Sequence, residues 1–185
     1  MNPVTNTIYV ANSGSGNVTA INGANNGTST ISAGTSPADV AVNPATNTIY
    51  VANSGSANVT AINGANNSTS TISAGTTPTA IAINTATNMI YVANKGSANV
   101  TAINGATKAT TSIPVGTSPV AIAVNPLTNT IYVANSGSAN VTVINGSTNA
   151  TTNVSVGTTP VAIAVNSASN MVRLERPSGM PVMSA

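Results

Sequence analysis

Four tyrosines mark a repeat that runs through most of this chain. Tyr9, Tyr50, Tyr91 and Tyr132 are each 41 residues from the next, and each lies in the phrase Ile-Tyr-Val-Ala-Asn. Each phrase is followed by Gly-Ser-x-Asn-Val-Thr-x-Ile-Asn-Gly and then by Gly-Thr-x-Pro. A fixed period between about 20 and 50 residues indicates a repeat architecture, in which stacked units share one core. The period therefore constrains the fold more than any local pattern does.

Within one period the apolar pattern predicts four short strands joined by tight turns. The predicted strands of one such period cover residues 79–83, 89–93, 99–103 and 110–115. They alternate apolar with small or polar residues or are β-branched, and no helical period competes with them. Four antiparallel strands in about 40 residues describe one β-propeller blade, whereas a β-solenoid, the weaker alternative, uses coils of about 20 to 30 residues.

The fold class predicted is therefore all-β, a β-propeller of 41-residue blade repeats. The repeat units span residues 2–42, 43–83, 84–124 and 125–165, and a fifth begins at 166 within a repeat region of 1–170. Residues 171–185 do not repeat and are predicted to be a disordered tail. One blade cannot bury both of its apolar faces alone, so we expect the tyrosines to pack between neighbouring blades.

Composition excludes several classes of function. Charged residues make up 3% of the chain, against about a quarter in typical domains, and polarity comes from Asn, Thr and Ser instead. The absence of Cys and His removes thiolate metal sites and the commonest general base. No basic patch or stacking aromatic cluster suggests nucleic-acid binding, and no apolar run is long enough to span a membrane. We therefore predict no catalytic, cofactor-binding or metal-binding residue.

A few residues stand out against the repeat. Asp39 replaces the alanine of the other units on the small-residue face of an innermost strand, so it is either a channel-lining carboxylate for a cation or a solvated acid near a rim. Lys95 and Lys108 replace turn residues and are interpreted as surface substitutions. Four sequons of the form N-x-[ST] recur with the repeat, and they give candidate glycosylation sites if the chain is exported. Their asparagines are Asn17, Asn58, Asn99 and Asn140.

The repeated phrase closely resembles the YVTN family of β-propeller repeats. The resemblance rests on Tyr-Val-Ala-Asn, preceded by Asn-Pro-x-Thr-Asn and followed by Gly-Ser-x-Asn-Val, and it covers residues 2–170. Alanine stands where the family name has threonine. The resemblance implies a propeller that is usually seven-bladed and belongs to surface-layer or exported proteins. Similar propellers include lactonase-like enzymes and the copper-binding part of nitrous oxide reductase, so it implies fold more than function.

The number of units leaves three arrangements open. The first unit lacks its innermost strand, and residues 161–165 have the sequence of an additional one. That segment could close a four-bladed ring against residues 8–12, two chains could form an eight-bladed ring, or the chain could be an open arc of a longer propeller. A start inside a repeat, no visible signal peptide and a broken repeat at Arg173 favour the arc. We hypothesise that a frameshift replaced the fifth tyrosine, which the nucleotide sequence would test.

These observations predict a non-enzymatic structural or binding protein of the cell surface. Near-identical repeats display Asn, Ser, Gly and Thr at regular spacing, which suits weak multivalent binding of glycan or protein through the blade loops. The alternatives are a dedicated glycan- or protein-binding module, a truncated fragment without present function and, last, a lactonase-like enzyme. Self-association to complete a ring is a further expectation.

Overall fold

A computed structural model describes residues 1–166 of the chain as strands and turns, with no helix in that range. The strands form four antiparallel sheets, each with its strands side by side in chain order. Three sheets have four strands and the first has three. The prediction of an all-β propeller of four blades in an open arc is confirmed.

We number the blades in chain order. Blade 1 contains β1 (Thr7–Asn12), β2 (Asn17–Asn22) and β3 (Thr28–Ser32). Blade 2 contains β4 (Pro37–Asn43), β5 (Thr48–Asn53), β6 (Asn58–Asn63) and β7 (Thr69–Ser73). Blade 3 contains β8 (Pro78–Asn84), β9 (Met89–Asn94), β10 (Asn99–Asn104) and β11 (Thr110–Pro114). Blade 4 contains β12 (Pro119–Asn125), β13 (Thr130–Asn135), β14 (Asn140–Asn145) and β15 (Thr151–Ser155).

The predicted strand in which small and large residues alternate, such as residues 79–83, is the innermost strand of its blade. β4 contacts β8, and β8 contacts β12, so these strands approach one another across neighbouring blades. Each innermost strand closes the repeat unit that precedes its blade, so blade 2 combines the end of the first unit with most of the second. No innermost strand precedes β1, as predicted, and blade 1 therefore has three strands.

The core lies between blades, and a tyrosine belongs to each of its three clusters. In the cluster between blades 1 and 2, Tyr9 packs with Ile49 and Val51 of the following blade. Tyr50 and Tyr91 take the same place in the clusters between blades 2 and 3 and between blades 3 and 4. Both tyrosines are almost fully buried. The expectation that the tyrosines pack between blades is confirmed for these three.

The Asn-Gly pairs form turns as predicted, but for a different geometric reason. A two-residue hairpin would require positive φ at both residues. Instead, Asn104 ends β10 and the positive φ, 63°, falls at Lys108. Gly105 is needed because its N–H donates to the Asn88 carbonyl at 2.8 Å and a Cβ there would collide with the Asn88 side chain. The glycine permits two neighbouring turns of one blade to touch.

The predicted additional strand at residues 161–165 is not formed. None of these residues is in a strand, and the Val161 side chain is 73% exposed. β1 is the edge of its sheet, and no other described strand pairs with its outer side, so the four-bladed ring is not closed. In blades 2 to 4 the innermost strand pairs with the second strand of the same blade. The residues that would form this second strand after 161–165 lie outside the described residues, as do Arg173 and the predicted tail, 171–185.

Candidate binding grooves between the blades

Each sequon asparagine is the first residue of a strand, β2, β6, β10 or β14, and each is half-buried. Their side-chain oxygens are already engaged. The Asn99 oxygen accepts hydrogen bonds from the Asn94 side-chain amide at 2.7 Å and from the Ser97 hydroxyl at 3.1 Å, and its own amide donates to Ser112 at 3.1 Å. The oxygens of Asn17, Asn58 and Asn140 accept the equivalent pairs. Glycosylation of these residues stays a prediction.

The asparagine that closes each Tyr-Val-Ala-Asn phrase holds the sequon in place. The Asn94 amide donates both to Asn99 and, at 2.9 Å, to the Thr101 hydroxyl, and Asn94 and Thr101 are buried. The same three-residue arrangement recurs in all four blades. The sequon pattern therefore has a structural explanation, because its Asn and Thr are both partners of a buried asparagine.

Asp39 is half-buried and joins blades 2 and 3. Its two predicted roles, a channel-lining carboxylate for a cation or a solvated acid near a rim, stay predictions. One carboxylate oxygen accepts the N–H of Val40 at 2.8 Å, and the other accepts the N–H of Ile81, on β8 of the next blade, at 2.9 Å. Burial raises the pKa of Asp39, while the two backbone donors oppose that shift. Within residues 1–166 no group of three His, Cys, Asp or Glu side chains could hold a metal ion. Asp39 therefore acts here as a hydrogen-bond acceptor between innermost strands.

Lys108 is more than a surface substitution. Its ammonium donates to the Gly105 carbonyl at 2.7 Å and to the Tyr50 hydroxyl of the preceding blade at 3.2 Å. It also lies 5.2 Å from the centre of the Tyr50 ring, within the range of a cation–π contact. Lys95, in contrast, is an exposed turn residue, as interpreted from the sequence. Asp39 and Lys108 thus both connect blade 2 with blade 3.

A groove opens between blades 1 and 2 beside Tyr9, and we call it the first tyrosine groove. It encloses about 360 Å³. Hydroxyl and amide side chains form much of its wall, together with the tyrosine, and none of the lining side chains is charged. Those polar residues include Thr7, Asn22, Thr28 and, from blade 2, Asn67. The chemistry of the wall is that of a neutral hydrogen-bonding site.

The second tyrosine groove repeats the first between blades 2 and 3. Its lining includes Thr48, Asn63 and Thr69, which occupy the positions of Thr7, Asn22 and Thr28 one repeat later. Lys108 stands where Asn67 stands in the first groove, and the volume is smaller, about 260 Å³. Lys108 gives this groove a charge and donates to the Tyr50 hydroxyl, which is not itself in the lining. Ser68 also stands where the first groove has Gly27. Sequence reasoning missed both grooves, although the Asn-to-Lys replacement signals that one interface differs.

The described residues contain no helix with the length and apolar character that a membrane crossing requires.

Comparison with known proteins supports the fold and leaves the family unassigned. No protein-family profile matches the chain, and no curated protein matches it. The YVTN resemblance therefore remains a prediction.

Several solved structures resemble the chain in fold. Hydrazine synthase of Kuenenia stuttgartiensis has a TM-score of 0.76 at 21% identity, over 85% of this chain and 48% of that one. A nidogen/laminin complex gives 0.73 at 12% identity, over 88% of this chain and 65% of that one. The dihydro-heme d1 dehydrogenase NirN gives 0.71 at 17%, over 84% and 36% respectively.

The chain thus spans less than two thirds of the length of each of these proteins, and identities this low carry the fold alone. Fold and grooves together define the class: a β-propeller repeat protein with polar grooves between its blades.

Proposed function

We propose that the chain is a non-enzymatic structural or binding protein of the cell surface, and that its first tyrosine groove binds neutral glycans. The observation that carries the proposal is the uncharged polar wall of the first groove, about 360 Å³ in volume. Hydroxyl and amide groups both donate and accept hydrogen bonds, as the hydroxyls of a sugar do. A concave site with a few convergent polar groups is the usual form of a small-ligand site.

The glycan site is assigned to the first groove, because Lys108 lies in the wall of the second groove and gives it a charge. The surface location is supported by the resemblance to surface-layer propellers and by the charge-poor, Asn- and Thr-rich composition. Cleavage of the protein by a protease added to intact source cells would test this location, and full protection in intact but not lysed cells would contradict it.

Binding is tested with the full chain on a panel of immobilised neutral oligosaccharides. The decisive variant is N67K, because the chain itself shows what a lysine does at this position: Lys108 lies in the wall of the second groove and donates to the Tyr50 hydroxyl. We expect N67K to lose most of the binding of the first groove. The control A65K adds the same charge at an exposed residue of the same turn, outside the groove lining, and should bind as the wild type does. Equal binding by N67K and A65K would refute the assignment of the groove.

A further inference from the structure

Blade 1 has no described blade before it, and the face that would contact one is exposed. Every later blade buries the equivalent side chains against the blade that precedes it. In blade 2 this leading face consists of Ile49, Val51 and Ile62, all with no exposed surface. The equivalents in blade 1 are Ile8, Val10 and Ile21, one repeat earlier. None of these three is buried, and Val10 is 41% exposed.

The opposite end of the arc leaves the complementary face exposed. In blade 3 the trailing face contains Tyr91, Val100, Ala102 and Ile113, all buried against blade 4. The equivalents in blade 4 are Tyr132, Val141, Val143 and Val154. None of the four is buried, and Val154 is 49% exposed.

The two faces fit each other because the chain already joins them three times. Each internal interface packs a trailing face of Tyr, Val, a small residue and Ile against a leading face of Ile, Val and Ile. Blade 4 has Val143 for the alanine and Val154 for the isoleucine, so side-chain volume is added at one position and removed at the other. Close packing tolerates such nearly volume-conserving exchanges best. Neither face matches itself, so the contact must be head-to-tail.

The unpaired edge of β1 also has a matching strand sequence in the chain. Residues 161–165, Val-Ala-Ile-Ala-Val, repeat residues 120–124, Val-Ala-Ile-Ala-Val, of β12. β12 pairs with β13 through Ala121–Ala134, Ile122–Val133 and Ala123–Tyr132. The same register pairs Ala162 with Ala11, Ile163 with Val10 and Ala164 with Tyr9. Asn2 already fills the place of the last residue of this innermost strand, since it is bridged to Thr7 and hydrogen-bonded to Asn47. Residues 161–165 would therefore end beside Asn2.

We propose that two copies of this chain close an eight-bladed ring. The trailing face of each blade 4 covers the leading face of blade 1 of the other copy, and residues 161–165 of each copy supply the missing innermost strand of that blade. Eight blades lie within the usual range of about four to eight for propellers. The closure would bury both apolar faces and pair both exposed edges, which are otherwise templates for uncontrolled pairing.

The first experiment measures the mass of the full chain and of face variants by light scattering at tens of micromolar. The wild type should be a dimer. V10D on the leading face and V154D on the trailing face should each be monomeric, since each blocks both interfaces of its own dimer. An equimolar mixture of the two should recover a dimer through the one interface that keeps two unmodified faces. L127D, at an exposed turn residue of blade 4, should stay dimeric.

A monomeric wild type overturns the proposal. A mixture that stays monomeric also overturns it, because only a head-to-tail contact leaves one unmodified interface in the mixture. Circular dichroism of each variant checks that the strands are retained. Open-ended filaments of the wild type would overturn ring closure.

The second experiment uses engineered cysteines, since the chain has none of its own. Val10 and Ile163 would lie directly opposite each other across the new strand pair, at a separation that a disulfide can bridge. Oxidation of mixed V10C and I163C chains should give a covalent dimer, and the V10C/I163C double variant should give only linked dimers. An intramolecular disulfide in a monomer would instead indicate closure of four blades within one chain and would overturn the proposal, as would the absence of any cross-link.

Discussion

The carboxylate of Asp39 on β4 accepts the backbone N–H of Ile81 on β8 at 2.9 Å and so joins the innermost strands of blades 2 and 3. At this position the following units have alanine, so the contact is particular to one interface. The carboxylate is partly buried, and both hydrogen bonds that it accepts within residues 1–166 come from backbone N–H groups.

Replacing Asp39 by Asn should remove a pH dependence of stability. Because burial raises the pKa of Asp39 in the folded chain, the folded state favours the protonated acid. Its stabilising contribution is therefore fully present below the ordinary carboxyl pKa and is lost as the pH rises through the raised folded value. Urea unfolding followed by circular dichroism should show that the free energy of unfolding falls more between pH 3 and pH 7 in the wild type than in D39N. An equal or smaller fall in the wild type would contradict the raised pKa.

A lysine introduced between blades 3 and 4 should stabilise the chain. The Tyr91 hydroxyl is buried without a hydrogen-bond partner among the described residues, whereas Lys108 supplies one to Tyr50. Asn149 has the position and the positive φ of Lys108 one repeat later. N149K should therefore raise the free energy of unfolding by about 1 kcal/mol, since an unsatisfied buried hydroxyl costs about 1 to 3 kcal/mol. A150K, at the exposed neighbouring residue, is the matched control and should change little. Equal effects of the two substitutions would refute the proposed contact.

The asparagine that ends each Tyr-Val-Ala-Asn phrase should contribute to stability in proportion to its burial. N94A removes two hydrogen bonds, to Asn99 and Thr101, from a fully buried site. We expect a loss of about 2 kcal/mol, since each such bond contributes about 1 kcal/mol and the buried partners lose their donor. N12A makes the same change in blade 1, where the site is half-buried, and should cost less. Comparable losses in the two variants would show that burial does not set the contribution.

The sequence predicts what happens inside a blade better than what happens between blades. Strand positions and the interior role of Tyr50 follow from period and alternation, because these depend on neighbours along one sheet. The reach of Lys108 to Tyr50 and of Asp39 to Ile81 depends on how far one blade is turned against the next. No local pattern carries that angle, so the sequence predicts neither contact.

The grooves were unpredictable for the same reason. A groove is the space left where two blades diverge, and its wall combines residues such as Tyr9 and Asn67 from different repeats. The sequons are a motif read along the chain, and the prediction of their glycosylation stays untested. In the structure Asn99 and Thr101 are the two hydrogen-bond partners of Asn94.

The burial of tyrosine between blades is the central structural claim, and the absence of Trp and Phe makes it directly measurable. Burial raises the pKa of Tyr91, and it raises that of Tyr9 against the opposing effect of a hydrogen bond with Thr7. Absorbance at 295 nm during an alkaline titration of the native chain should therefore show tyrosines that ionise above the ordinary value of 10.0. Y91F should remove one of them, and unfolding in urea should abolish the raised values of Tyr9 and Tyr91. Four tyrosines that titrate together near the ordinary value in the native chain would contradict the packing described here.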